Sequence, residues 1–235
     1  MFTQNRTVTY SHLSPSGEVG IVTLLQYFQD CATAHTTAAG YPIERLASMD
    51  GAWILNSMHL LTYKPIRLHA SIHVSTWTSE FRRAYGIRSF RVTDAEDKET
   101  YAEATSLWVF CDTKTGHPKR IIPEIITLYG EEPPAATTCM RKEPQETAKD
   151  FIGEFKVLHR DLDTNNHMNN AMYVSYAMEA LQNNASAKEV DIYYKHPAFL
   201  GEKLSLYANK EEDKLQTIIL NEENQPCAYI RFTIA

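Results

Sequence analysis

Three polar side chains, a carboxylate and an imidazole able to do acid–base work and an amide able to position a substrate, stand two apart in the second half of the chain: Asp163, His167 and, between them, Asn165. They lie in the segment Arg160 to Tyr176, RDLDTNNHMNNAMYVSY, where Asn165, Asn166, Asn169 and Asn170 join Asp161, Asp163 and His167 just ahead of an apolar stretch. Alternate residues of an extended loop point the same way, so the spacing predicts that a carboxylate, an amide and an imidazole converge. A helix should follow, capped by Asn169 or Asn170, because an Asn side chain accepts from the first free backbone N–H groups. The unpaired N–H groups there, at the positive end of the helix dipole, suit an oxyanion on a thioester carbonyl. A carboxylate, an imidazole and an oxyanion site suffice for thioester hydrolysis, since thiolate is a good leaving group, and neither a metal nor a cofactor is required. Taken singly, a lone Asp or Asn in a turn is usually structural, and a lone His is usually surface or core.

Two segments of like plan must position these groups. Leu24 to Ala39 places Leu24, Phe28, Cys31, Ala32 and His35 at spacings of three and four, and Met172, Tyr173, Tyr176, Ala177, Ala180 and Leu181 repeat the pattern, so each predicts an amphipathic helix. Strands follow each helix: Ile72 to Trp77, Tyr85 to Thr93 and Tyr101 to Cys111, then Glu189 to Tyr194, Leu204 to Ala208, Leu215 to Leu220 and Cys227 to Ile234. A shift of 149 residues lays Leu13 on Leu162, Ser14 on Asp163, Tyr27 on Tyr176 and Asp30 on Glu179. One extended segment, one helix and a run of antiparallel strands, made twice, predict duplicated α+β units in which a curved sheet wraps the helix.

Gly130 to Asp150, with three prolines and no sustained apolar period, reads as a linker between residues 1–129 and 151–235. Trp53, Ile54 and Leu55 are then either core or the wall of an apolar pocket, which needs the same residue types. Pro15-Ser16-Gly17 occupies the first half's counterpart of the polar loop, but Glu18 stands where His167 does. That half is expected to be the inactive, substrate-holding copy.

Composition sets the outer limits. An apolar share of 43% and a charged share of 22% fit a globular chain that buries a core. A net charge of −6 argues against broad nucleic-acid binding, and any acidic protein partner must find a local basic patch, for which Lys64 with Arg67, Arg82 with Arg83 and Lys119 with Arg120 are the clusters in sequence. Each is otherwise solvated surface. Cys31, Cys111, Cys139 and Cys227 form no CxxC pair, which reads as a reducing compartment, with Cys31 packed on the first helix's apolar stripe. MFTQNRTVTY contains neither an apolar signal core nor an Arg/Ser-rich transit pattern, and no run of about 18 apolar residues occurs, so a cytoplasmic protein off the membrane is expected. His69 and His73, four apart in a strand, stand roughly 13 Å from each other, too far to share a metal.

The motif Asn165-Asn166-His167-Met168-Asn169-Asn170 with Tyr173 resembles the N-x-H-x-N-N and following Tyr of the acyl-acyl carrier protein thioesterases of bacteria and plant plastids. The resemblance runs from about Arg6 to Ile234 and takes in Pro15-Ser16-Gly17 and the helix segment YFQDCA. It implies a tandem hotdog fold, acyl-loaded acyl carrier protein as partner, acyl-chain binding by the first domain with Trp53 and Leu55, and catalysis by the second. On it, Asp163 and His167 are the acid–base pair, Asn165 positions the carbonyl or the attacking water, and Asn169, Asn170 and Tyr173 contact substrate. A fused pair supplies the hotdog dimer contact internally, so a monomer is expected as readily as a homodimer.

The family pattern also breaks. A Glu, in plants followed by Cys, is expected on the strand after the catalytic helix, and here the region reads Tyr193-Tyr194-Lys195-His196-Pro197. Its role is lost, transferred to His196, or taken by Glu202. Met172 replaces the family's Lys, and Tyr176 its Trp. Three other readings use the same residues: a hotdog acyl-CoA thioesterase, a hotdog 3-hydroxyacyl dehydratase, and a non-catalytic acyl sensor.

Overall fold

The computed structural model describes residues 1–145, 148–181 and 187–234. The chain divides into two compact units, Met1–Cys139 and Met140–Ala235.

In the first unit, β1 (Phe2–Thr7) leads through a short 3-10 turn into α1 (Ile21–Ala38) and α2 (Ile43–Ser48). The strands β2 (Gly51–Thr62), β3 (Ser71–Arg82), β4 (Tyr85–Asp94) and β5 (Thr100–Asp112) follow, then α3 (Pro123–Tyr129). Neighbouring strands are antiparallel, in the order β1-β3-β4-β5-β2. Of the stripe predicted on α1, Leu24, Phe28, Cys31 and Ala32 are buried and His35 half-buried; Tyr27 is buried beside them, Phe28 stacks on Phe90 at 4.8 Å and the Cys31 thiol donates to the Val74 carbonyl at 3.3 Å. A second cluster joins Tyr41, Leu46, Phe110, Ile121, Ile125 and Tyr129, with Trp53 packed against it. Gly51 is required there, since a Cβ would meet the Phe110 ring at 2.6 Å.

The second unit repeats the plan with fewer residues. It comprises β6 (Asp150–Lys156), a 3-10 turn, α4 (Asn170–Ala177), then β7 (Ala187–Tyr194), β8 (Lys203–Glu211), β9 (Lys214–Leu220) and β10 (Pro226–Ile234). Its order β6-β8-β9-β10-β7 is that of the first unit, strand for strand. α4 packs on β9 and β10 and is shorter than the periodicity predicts, tightening into a 3-10 turn at Met178–Ala180. All seven predicted strands are present. One helix wrapped by an antiparallel sheet, made twice, is the hotdog architecture in tandem.

Residues 130–137, part of the proline-bearing stretch, run against the first sheet. Trp77 Nε1 donates to the Pro133 carbonyl at 2.7 Å, the Ala135 N–H to Ser89 Oγ at 3.1 Å, and Thr105 Oγ1 to the Thr137 carbonyl at 2.9 Å. The stretch's lack of periodicity reflects pairing through backbone groups rather than through an apolar face. Residues 146 and 147 of the same stretch lie outside the described residues.

Candidate active site

The polar segment begins with the 3-10 turn His159–Asp161 and ends in α4. Between them residues 163–167 form a tight turn, not the extended loop that alternation predicts. The Asp163 N–H donates to the His167 carbonyl at 2.7 Å and the Asn166 N–H to the Asp163 carbonyl at 3.1 Å, with Leu162 and Met168 bridged antiparallel at its base. Asn166 sits at φ 60°, a conformation Asn tolerates better than most side chains.

Asp163 helps to close the turn. Its Oδ1 accepts from the backbone N–H groups of Asn165 at 2.8 Å and His167 at 3.1 Å, local bonds that compete with extension. The Asn165 amide reaches Asp163 Oδ2 at 3.4 Å, a long and weak contact. Asp163 and Asn165 therefore meet side chain to side chain, whereas Asp163 meets His167 at its backbone. The imidazole packs edge-on to Phe199, with centroids 4.9 Å apart, and the two residues form a β-bridge.

At the head of α4 the cap is Asn169, whose side chain accepts from the Ala171 N–H at 2.9 Å. The expectation of several free donors here is corrected. The N–H of Met168 goes to the Ala198 carbonyl, that of Asn169 to the Asp161 carbonyl and that of Met172 to the Asn169 carbonyl. Among the described residues this leaves Asn170, first in the helix, to offer a backbone donor free of intrahelical pairing. The Asn170 carbonyl accepts from Tyr194 Oη at 2.9 Å. Tyr173 Oη accepts from the Ala198 N–H at 2.9 Å, and burial, reinforced by Cys227, Glu202 and Asp163, pushes its phenol up.

Glu202 thus acts on the same Tyr173 as Asp163 does. Its carboxylate also accepts from the Phe199 N–H at 3.2 Å, on the turn against which His167 packs. Beside His196, the Lys195 ammonium, whose Nζ lies 2.6 Å from Glu143, and the Tyr229 hydroxyl hold the Glu143 carboxyl below its usual range. Trp53 and Leu55 belong to the first unit, Trp53 half-buried with its ring 5.1 Å from Phe110 and Leu55 buried, while Ile54 is exposed.

Asp161 carries more of the site than its sequence suggests. It is fully buried, and its Oδ2 accepts from the Leu158 N–H at 2.8 Å and from Tyr176 Oη at 3.0 Å, so it ties the incoming chain to α4. Its place two residues before Asp163 was the only available signal. His69 lies in the turn before β3 at φ 66°, while His73, within β3, is bound to Asp97 at 2.9 Å.

The first unit contains the same turn. The Ser14 N–H donates to the Glu18 carbonyl at 2.8 Å, the Gly17 N–H to the Ser14 carbonyl at 2.9 Å, and Leu13 and Val19 form the bridge. Gly17, at φ 79°, takes the left-handed place of Asn166. Arg6 and His12 flank the Tyr27 ring as Phe155 and Asp161 flank Tyr176, at the same shift of 149 residues. Ser14, Ser16 and Glu18 stand where Asp163, Asn165 and His167 do.

Fold and site together define a tandem hotdog protein with one polar turn and one bland copy of it. The family model for the acyl-ACP thioesterase N-terminal domain matches residues 1–129 and that for the C-terminal domain matches residues 144–232, so the chain belongs to the acyl-ACP thioesterase family. It is 23% identical over 193 residues to a chloroplastic palmitoyl-acyl carrier protein thioesterase of Cuphea hookeriana, covering 77% of this chain and 46% of that one. A chloroplastic oleoyl-acyl carrier protein thioesterase of Arabidopsis thaliana is 24% identical over 178 residues, 68% and 48% of the two chains. The chain thus spans about half the length of the curated relatives it matches. Among solved structures, an acyl-ACP thioesterase of Bacteroides thetaiotaomicron superposes with a TM-score of 0.87 at 17% identity, covering 99% and 97% of the chains. The 12:0-ACP thioesterase of Umbellularia californica does so with 0.86 at 16%, covering 100% and 96%.

Proposed function

We propose that this chain hydrolyses fatty acyl thioesters of acyl carrier protein, releasing a free fatty acid and the carrier's thiol in fatty acid biosynthesis. The observation that carries the reading is the turn 163–167, which brings the Asp163 and Asn165 side chains together and ends at His167, in one copy of a duplicated fold where the other has Ser14, Ser16 and Glu18. Oδ1 of Asp163 is engaged by two backbone N–H groups, so Oδ2 is the oxygen left for chemistry, by attack on the acyl carbon or by activating water. His167 supplies an imidazole, the residue type suited to moving a proton in neutral water: it gives a proton to the departing thiolate and takes one from the water that attacks the acyl carbon or, on the other route, cleaves the acyl–Asp163 anhydride. Asn165 Nδ2 and the Asn170 N–H are the donors suited to the developing oxyanion. Tyr173 and Asn169 shape the floor, while Trp53 and Leu55 of the first domain line the acyl chain's path. For the absent family Glu, whose role is lost, transferred to His196 or taken by Glu202, the bond from the Phe199 N–H to the Glu202 carboxylate, on the turn against which His167 packs, supports Glu202.

In this reading residues 1–129 hold the acyl chain and residues 151–235 carry the chemistry, with 130–150 between them. The setting is cytoplasmic. Four cysteines present as free thiols support that assignment. Among the described residues no helix is long and apolar enough to cross a membrane.

The test is free-thiol release from acyl carrier protein thioesters and the matching CoA thioesters, comparing wild type with His167→Ala. Hydrolysis favouring the carrier protein and reduced at least about 100-fold in the variant is expected. Preference for CoA would make it an acyl-CoA thioesterase. Turnover of a 3-hydroxyacyl chain without thiol release would make it a dehydratase, and binding without turnover a sensor.

A further inference from the structure

Of the cations in the clusters named from sequence, Lys64, Arg67, Arg82 and Lys119 are engaged in the fold, while Arg83 and Arg120 are exposed. Lys64 pairs with Glu99, Arg67 with Glu18 and Arg82 with Glu80, while Lys119 Nζ donates to the carbonyls of Met49 and Asp50. A different set of cations gathers beside the polar turn. Lys156 ends β6 and Lys203 begins β8, and the two are direct cross-strand partners. Like charges opposite one another on an antiparallel pair destabilise it. The Lys156 side chain lies over Gly201, where a Cβ would meet its Cε at 3.8 Å. His159 and Arg160, both exposed, follow within one turn of chain, and Arg160 reaches a carboxylate only at 3.8 Å, that of the buried Asp161.

Three apolar side chains are exposed within this ring: Leu158 at 39%, Phe199 at 44% and Leu200 at 47%. They are held together by backbone bonds, the Val157 N–H to the Glu202 carbonyl and the Gly201 N–H to the Val157 carbonyl, each 2.9 Å. Phe199 is also the residue against which His167 packs. The carboxylates nearest in chain are the exposed Glu154, two residues before Lys156, and the half-buried Glu202, beside Lys203, which accepts from the Phe199 N–H.

The first unit shows that folding does not require this surface. Its counterparts of Lys156 and Lys203 are Thr7 and Ser71, which pair in the same register, and those of His159 and Arg160 are Tyr10 and Ser11. The first unit's matching turn keeps one cation, Arg67, paired with Glu18, beside the exposed Leu68. The cross-strand lysines with His159 and Arg160, beside the Asp–Asn–His turn of a chain of net charge −6, call for an anionic partner arriving at that turn.

We infer that Lys156, His159, Arg160 and Lys203, around Leu158, Phe199 and Leu200, form the docking surface for an acidic carrier protein that presents its acyl thioester to His167. The inference rests on the hydrolase reading for the identity of the partner. Charge complementarity of this kind governs encounter and register more than chemistry, so its loss should appear in KM and in salt dependence.

The experiment compares wild type with Lys156→Glu/Lys203→Glu on acyl carrier protein loaded with a fatty acyl chain, and on the same acyl group carried by N-acetylcysteamine, which has no protein surface. Unchanged circular dichroism and melting temperature establish that the variant is folded. Expected is a rise of about tenfold or more in KM for the carrier-protein thioester at low salt, a flattened salt dependence, and turnover of the small thioester within about twofold of wild type. An unchanged KM for the carrier protein overturns the inference, as does an equal loss on both substrates. If wild type cleaves neither thioester, the hydrolase reading falls by itself. Fluorescence anisotropy of labelled holo carrier protein then decides docking: binding weakened about tenfold by the double substitution sustains it, and equal or absent binding overturns it.

Discussion

Asp163 has two duties that can be separated. Its Oδ1 closes the turn through two N–H groups, while its Oδ2 faces the Asn165 amide. Asp163→Asn retains a carbonyl oxygen to close the turn but no carboxylate, so the variant should stay folded and lose at least about 100-fold in turnover. Asp163→Ala should in addition loosen the turn, with a lower melting temperature, and equal melting temperatures for the two would deny the closing role. Glu202 and His196 separate in the same way. Glu202→Ala should lower kcat markedly because it also frees the Phe199 turn under His167, whereas His196→Ala should leave it nearly unchanged. The opposite ranking, read by thiol release, would return the missing Glu's role to His196. Much of the site was legible in D-x-N-x-H because residue type and spacing survive any backbone path. The path itself was not legible, since it depends on a side-chain-to-backbone bond that alternation does not encode.

The turn and the head of α4 carry their own stability terms. Asn169→Ala removes the cap on the Ala171 N–H and should cost about 1 kcal/mol in urea unfolding. Asn166→Gly suits the left-handed conformation and should be close to neutral, whereas Asn166→Val should destabilise by about 1 kcal/mol or more. A Val variant as stable as wild type would mean that the turn does not need that conformation. Long elements were legible from periodicity: α1 and the seven strands named from sequence are all present. β2 was not read as a strand because Trp53, Ile54 and Leu55 are consecutive apolar residues with no alternation, although Ile54 is exposed and Leu55 buried. α2 and α3, six and seven residues long, are too short for a period to declare itself. The surface around Lys156 and Lys203 escaped because register, not sequence, makes them neighbours.

At the scale of the molecule, one buried group links fold to pH. His35, at the end of α1, is pulled down to about 4 by burial first and by the Arg88 guanidinium second, and its Nδ1 lies 2.9 Å from Arg88 Nη1, a donor. The folded protein therefore holds the neutral ring. In the unfolded chain the ring protonates near 6.5, so stability from this residue is complete above that value and is lost as pH falls toward 4. Urea midpoints should drop between pH 7 and 4.5, and His35→Leu should flatten that slope; identical slopes would exclude His35 as a contributor.

The duplicated turn also separates two demands that active sites usually entangle. Residues 13–19 keep what the bend needs in order to form: a small oxygen-bearing side chain at its opening, a left-handed fourth position and a bridge at its base. Whatever residues 162–168 hold beyond that was not imposed by folding. Subtracting one turn from the other leaves a carboxylate in place of a hydroxyl, an amide in place of a hydroxyl and an imidazole in place of a carboxylate. The chain thus carries its own blank, against which the chemical share of each side chain can be measured in a single molecule.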